Sequence, residues 1–347
     1  MASDHLLTHA QYVAVVRPHL PRKAFAPSLG KLWQVALHIL VIGLCFWGMR
    51  AFHHIAARLV LSVVIGHSLT CLVFIAHDLS HGGIIRRARL RYPLEVLLWG
   101  MNLFPATMWR KLHNENHHTH ANTVKDPDRF FRQSEFDAPG GRWRRWFARW
   151  SMPSRHTSRW NPAVNLHMTF YILRHLAAVF YPDDRRPAIV TYKPRYRPAE
   201  RRRIAFEVAC IAAWQFLIYL AVGQSVTAWI WAGPIALAFN STFAMSYIWT
   251  NHYLQGLHEW HDPLLGSTSI EVPRIFDRLH SNFSYHTEHH LFPAMNSKYY
   301  PLVCEVLLKE FPDRYNRVPV HQAWKQLANG ELYVAEDNGL PSLNSPG

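Results

Sequence analysis

Between Val208 and His258 the chain carries no Asp, Glu, Lys or Arg. At ~1.5 Å per residue, a helix of that length is more than twice the ~30 Å of hydrocarbon in a bilayer. Gly223-Gln224-Ser225 supplies a turn near the middle. The stretch therefore reads as two membrane crossings, about 205–222 and 226–249. Two further uncharged stretches, 32–49 and 59–77, repeat the arrangement, with Arg50 to Arg58 as a short link. The expected fold is an all-α integral membrane protein with four transmembrane helices in two hairpins.

The net charge is +14 with histidine neutral, and the mean hydropathy of -0.10 requires much of the chain to lie outside the bilayer. A basic surplus can signal nucleic acid or an anionic membrane surface. Here the cations flank the apolar spans, which excludes nucleic acid as a partner. Stretch 80–111 holds six of them (Arg86, Arg87, Arg89, Arg91, Arg110, Lys111). Stretch 185–203 holds eight (Arg185, Arg186, Lys193, Arg195, Arg197, Arg201, Arg202, Arg203). The hairpin tips hold only Arg50 and Arg58. By the positive-inside rule, both termini and the long polar stretches face the cytoplasm.

The four cysteines, Cys45, Cys71, Cys210 and Cys304, form no C-x2-C pair. A zinc ribbon, an internal rubredoxin and a disulfide framework are therefore not expected. Residues 1–31 read as a cytoplasmic arm, part of it on the membrane surface, with no cleaved signal peptide. Val96 to Trp109 is too short for a span and reads as an interfacial or re-entrant segment. From Arg142 to Trp150, Trp143, Trp146, Phe147 and Trp150 share one face and arginines the other, which suits the headgroup region. Residues 162–181 are expected to be interfacial as well. The membrane domain covers 32–312. A cytoplasmic segment, 313–347, follows it and ends in a disordered tail from Glu336.

Three histidine clusters lie at or just beyond the span ends. His77 and His81 stand at i, i+4; His113 and His117 do the same, with His118 beside them; His286, His289 and His290 stand at i, i+3 and i+4. On helices, each cluster puts its imidazoles on one face. A lone histidine on a helix is usually a surface or core residue, but chance does not align the spacing three times. Imidazole suits iron, zinc, copper and nickel. Eight are too many for one ion and suit two held close together.

The three boxes, in this order and spacing, resemble those of the membrane fatty acid desaturases and their di-iron relatives. Gly82 follows His81; Asn122 and then Asp126-Pro127-Asp128 follow His117-His118; Leu291-Phe292-Pro293 follows the third box. The resemblance covers roughly residues 30–312. It implies a di-iron site in a cytoplasmic helical cap, ligated by His77, His81, His113, His117, His118, His286, His289 and His290. Relatives often supply one more ligand between the last span and the third box. Tyr253 to His258 resembles that site, which makes His258 the ninth candidate, with His252 and His261 as rivals. His120 and His280 are expected in supporting or structural roles. Asp78, Glu115 and Glu288 lie inside the boxes and are candidates to orient the rings, or else solvated carboxylates.

No acid or base side chain removes hydrogen from an inert alkyl C–H bond, whereas O2 activated between two irons does. The resemblance implies O2-dependent desaturation of a lipid-linked or thioester-linked acyl chain held in an apolar tunnel below the metals. A sister hydroxylase or ketolase shares the same boxes. A metal transporter would place its ligands at mid-membrane instead. The soluble di-iron bundles use Glu-x-x-His, a spacing that none of these boxes has. No fused haem, flavin, nicotinamide or iron–sulfur motif is present, so electrons are expected from a separate ferredoxin, cytochrome b5 or rubredoxin system. The basic face suits an acidic donor.

Overall fold

The computed structural model describes residues 6–129, 131–157, 166–181 and 188–331. The chain opens with α1 (His9–Val16), its first turn closed by reciprocal bonds between Thr8 and Gln11. Then come α2 (Leu32–Ala51) and α3 (Ile55–Ser80), which are joined by Phe52, His53 and His54 and pack on each other. α4 (Ala88–Met101) and α5 (Ala106–Leu112) lead into a π turn (His113–His117) and a last turn, α6 (His118–His120). The middle of the chain forms α7 (Gln133–Asp137), α8 (Gly141–Ser151) and α9 (His167–Phe180).

α10 (Pro198–Ala221) starts with Pro at its first position and with the Glu200 carboxylate accepting the Arg197 amide N–H at 2.7 Å. α11 (Val226–Ile230), a second π turn (Trp231–Ile235) and α12 (Ala236–His252) follow. β1 (Ser269–Glu271), α13 (Arg274–Leu279), α14 (His286–Leu291), α15 (Tyr300–Glu310), β2 (Arg317–Pro319) and α16 (Val320–Asn329) complete the described chain. The two short strands pair in parallel, with Ile270 opposite Val318.

The described residues are mostly helical, and among them three helical stretches are long and apolar enough to cross a membrane: Leu29–Ala51, Ile55–Ser80 and Pro198–Ala221. Their surroundings differ. Of the most apolar window, 67% is buried in α3 but only 17% in α10. α3 is thus the central helix, with α2 and α12 packed along it. α2 and α10 turn large side chains outward, including Trp33 at 62%, Trp47 at 66% and Phe216 at 59% exposure. Apolar surface on that scale needs a non-aqueous environment. Over Val226–His252 the chain is helical, but its π turn leaves α12 at 17 residues.

α3 and α12 approach closely at Gly66, where an added Cβ would lie 2.6 Å from both the Ala236 carbonyl oxygen and the Phe239 Cβ. Small residues are what permit such helix contacts. Gly66→Ala is expected to force the helices apart and cost about 1–3 kcal/mol. Thermal unfolding in detergent checks this, and an unchanged midpoint would contradict it.

The segments outside the long helices pack more tightly than the sequence suggested. α1 packs one face on the rest of the protein. Tyr12 and Val16 are fully buried in one apolar cluster with Leu291, Phe292, Tyr300 and Leu307, so the arm covers the third box. Asp262, wholly buried, ties it down. Its carboxylate accepts from the Leu7 N–H at 2.8 Å, from Tyr12 at 3.0 Å and from Arg314 at 2.7 Å. Val96 to Trp109 is not one segment: Leu103, at φ 65°, breaks it into α4 and α5, and Leu98, Trp99 and Met101 are buried in the main core. In α8, Phe147 packs inward while Trp143, Trp146 and Trp150 stay exposed, so only three of the four aromatics face outward. Residues 317–331 are integrated too, with Trp324 edge-on to Trp249 at 5.8 Å. The expected tail, Glu336 to Gly347, and residues 162–165 lie outside the described residues.

Candidate metal centre

The ends of α3, α5–α6, α12 and α14 bring nine imidazoles together in two groups. The first holds His77, His81, His113, His118 and His289, with one ligand atom from each lying within 4.8 Å of all the others. His77 Nε2 is 3.1 Å from His113 Nε2, which is 3.2 Å from His118 Nε2, which is 3.0 Å from His289 Nε2. The His81 Nε2 is buried with no hydrogen-bond partner among the described residues. The second group holds His117, His252, His286 and His290. His252 Nε2 lies 3.2 Å from His117 Nε2 and 2.6 Å from His286 Nε2, which is 3.2 Å from His290 Nε2.

Hydrogen bonding does not account for this packing. A neutral imidazole Nε2 either donates one hydrogen or offers one lone pair. His113, His118, His252 and His286 each present Nε2 to two other Nε2 atoms. Lone pairs that converge in this way suit a cation at each focus, and an all-imidazole donor set suits a first-row transition metal. The donor set therefore fits two such ions.

The second box needed an unexpected backbone. The sequence spacing predicts an α-helix, but His113–His117 is a π turn. The wider turn stacks the His113 and His117 rings at 5.1 Å and sends their Nε2 atoms to different groups. π turns recur at functional sites. The third box is shared as well, with His289 in the first group and His286 and His290 in the second, while His77 and His81 both enter the first.

Electrostatics favour the ligating form. Burial, followed by the neighbouring imidazoles, holds His113, His118, His286, His289 and His290 well below the usual imidazole range. They stay neutral, as ligands must. His117 is the exception: burial opposes its charge, but Asp126, aided by Asp128, raises its pKa. The Asp126 carboxylate lies 2.9 Å from His117 Nδ1 and accepts the backbone N–H groups of Asn122 at 2.9 Å and Asp128 at 2.8 Å. It fixes the ring so that Nε2 faces the cluster.

Asp126 was missed as an orienting residue. Asp126-Pro127-Asp128 reads locally as a turn, and only its place directly after the second box hinted at more. Of the three carboxylates inside the boxes, Asp78 approaches His77 Nδ1 at 3.5 Å and also pairs with Lys31. Glu115 is half exposed and pairs with Lys111 at 2.7 Å. Glu288 is buried, but it accepts from Ser269 at 2.6 Å and from Tyr315, away from the imidazoles.

His258 lies outside both groups. Its Nε2 is 3.2 Å from the Leu265 carbonyl and its backbone N–H donates to Asn122 at 2.8 Å. His252, on the last turn of α12, is the ninth imidazole of the two groups. His261 Nδ1 bonds the Ala121 carbonyl at 3.2 Å, and His120 Nδ1 the Asn116 carbonyl at 3.1 Å. His280 sits apart, between His67 and Tyr247.

A cavity opens directly beneath both groups. His77, His113, His117, His252 and His286 form its roof, and apolar side chains such as Val73, Phe104, Met168, Met245 and Ile248 line its walls. Trp109 stacks on His113 at 4.5 Å and on Trp99 at 4.1 Å, closing one side.

A family model described as fatty acid desaturase matches residues 53–322. The curated fatty acid desaturase of Bacillus subtilis (strain 168) is similar, at 23% identity over 257 residues, covering 68% of this chain and 64% of the relative. The chain thus spans just under two thirds of that relative's length.

Proposed function

This chain belongs to the fatty acid desaturase family, and on that footing we propose that it inserts a double bond into a fatty acyl chain at a His-coordinated di-iron centre, consuming O2. The observation that carries the proposal is the convergence of nine Nε2 donors in two groups above an apolar cavity. One iron would be held by His77, His81, His113, His118 and His289. The other would be held by His117, His252, His286 and His290. An iron pair there supplies the reduction of O2 that cleavage of an unactivated C–H bond demands.

The chain's own residues do the rest. Asp126 holds His117 in one tautomer and orientation. Val73, Met245 and Ile248 offer an acyl chain an apolar bed beneath the imidazoles and exclude water from it. Lys31 and Asp78 tie the start of α2 to the first box, and Lys31 also bonds Ser297 at 2.7 Å beyond the third. Overall, one –CH2–CH2– unit, one O2, two electrons and two protons become one –CH=CH– and two waters. The electrons come from a separate donor protein, and the basic surface near α4 and α10 suits an acidic one. The proposed topology completes two hairpins, with Val226–His252 as the fourth crossing and the boxes and both termini in the cytoplasm. In this reading residues 1–31 and 313–347 flank the membrane domain, 32–312.

Two measurements test the reading. Purified protein expressed with iron is expected to hold about two irons per chain by elemental analysis. Acyl lipids from cells expressing it are expected to lose two hydrogens by mass spectrometry. Gain of one oxygen without that loss would replace the desaturase with a hydroxylase.

A further inference from the structure

The cavity beneath the imidazoles is not apolar throughout. Its wall on the α9 side carries His167, Tyr171 and Asp128. His167 is only 3% exposed, and its Nδ1 bonds the Ser151 carbonyl. A carbonyl only accepts, so Nδ1 carries the hydrogen and Nε2 is left with a bare lone pair. Among the described residues, nothing donates to that Nε2. Burial first of all holds the ring's pKa at about 3, so it remains a neutral acceptor. Asp128 adds a second acceptor: it receives the Tyr171 hydroxyl, and its other oxygen is 3.6 Å from His117 Nδ1, beyond a good hydrogen bond.

A plain hydrocarbon chain in this cavity would strand the His167 lone pair, and unpaired buried acceptors are costly. We propose that the acyl substrate carries a hydrogen-bond donor, a hydroxyl or an amide N–H, that is received by His167 Nε2 beside the metal pair. The inference rests on the acyl-substrate reading above and narrows it. The position of that donor along the chain then sets which carbons lie under the imidazoles, so His167 acts as a positioning and specificity residue.

Binding to the full-length protein in detergent, without reductant, tests this. Quenching of tryptophan fluorescence reports occupancy, since Trp99 and Trp109 line the cavity. The probes are a saturated fatty acid, the same acid with one hydroxyl at successive carbons, and the same chain with one internal secondary amide. One substituted member is expected to bind at least about ten-fold tighter than the plain chain, because a site built around a hydrogen bond discriminates against analogues that lack it. Whether it is a hydroxyl or the amide identifies the donor. His167→Phe is expected to bring the ratio to about one, and His167→Gln, which keeps an acceptor, to preserve part of it. Equal binding of all members to the unaltered protein, or a preference that survives His167→Phe, overturns the inference and leaves the acyl reading standing. Failure of every chain to bind overturns both. The unaltered protein's ratio decides the matter even if His167→Phe does not fold.

Discussion

His117→Ala is expected to leave a protein that inserts into the membrane but binds about one iron or fewer per chain and shows no detectable turnover. His117 spans the site, with Nδ1 on Asp126 at 2.9 Å and Nε2 on His252 at 3.2 Å. Alanine removes both contacts and leaves the second group with three imidazoles. The fold should survive, because Asp126 keeps its bonds from the Asn122 and Asp128 amides. Asp126→Asn provides the graded comparison. It keeps the size of the side chain but loses the charge that favours one tautomer, and such supporting changes cost roughly 10–100-fold in metal affinity or activity. Iron analysis beside a turnover assay reads both variants. Full iron and full turnover in His117→Ala would remove it from the ligand set.

The second large effect separates two histidines six residues apart. His252→Ala is expected to abolish turnover and release iron, whereas His258→Ala is expected to retain iron and most activity. His252 is buried, with its Nε2 between those of His117 and His286. His258 is half-buried and, among the described residues, bonds only backbone groups, the Leu265 and Asn122 carbonyls. Losing it costs an ordinary hydrogen bond, about 1 kcal/mol. The reverse pattern, with an inactive His258→Ala and an active His252→Ala, would return the ninth ligand to His258.

That contrast shows where the sequence stops being legible. Both histidines follow the last apolar stretch, and nothing in their neighbours separates them. What separates them is the end of α12, because His252 is still on the helix and shares the core with α3, whereas His258 lies in the loop beyond it. Asp126 was unreadable as an orienting group for a similar reason: a turn-forming Asp-Pro-Asp has a sufficient local explanation. The covering role of α1 was equally hidden, because a helix of eight residues carries apolar side chains but no signal of which distant segment they meet. It packs on α14 and α15 through Tyr12 and Val16, anchored by Asp262 some 250 positions away.

The sequence by itself determined the class of this protein. Long uncharged runs demand a helical membrane environment, since backbone groups in hydrocarbon have to be satisfied within the segment. Three histidine clusters at fixed helical spacing demand shared chemistry, since spacing along a helix is a local property. Only the tertiary structure decided how the imidazoles are divided between two groups, which ninth histidine joins them, and that His167 lines the cavity wall. Those features depend on packing between segments far apart in the chain and on one π turn that local spacing does not encode.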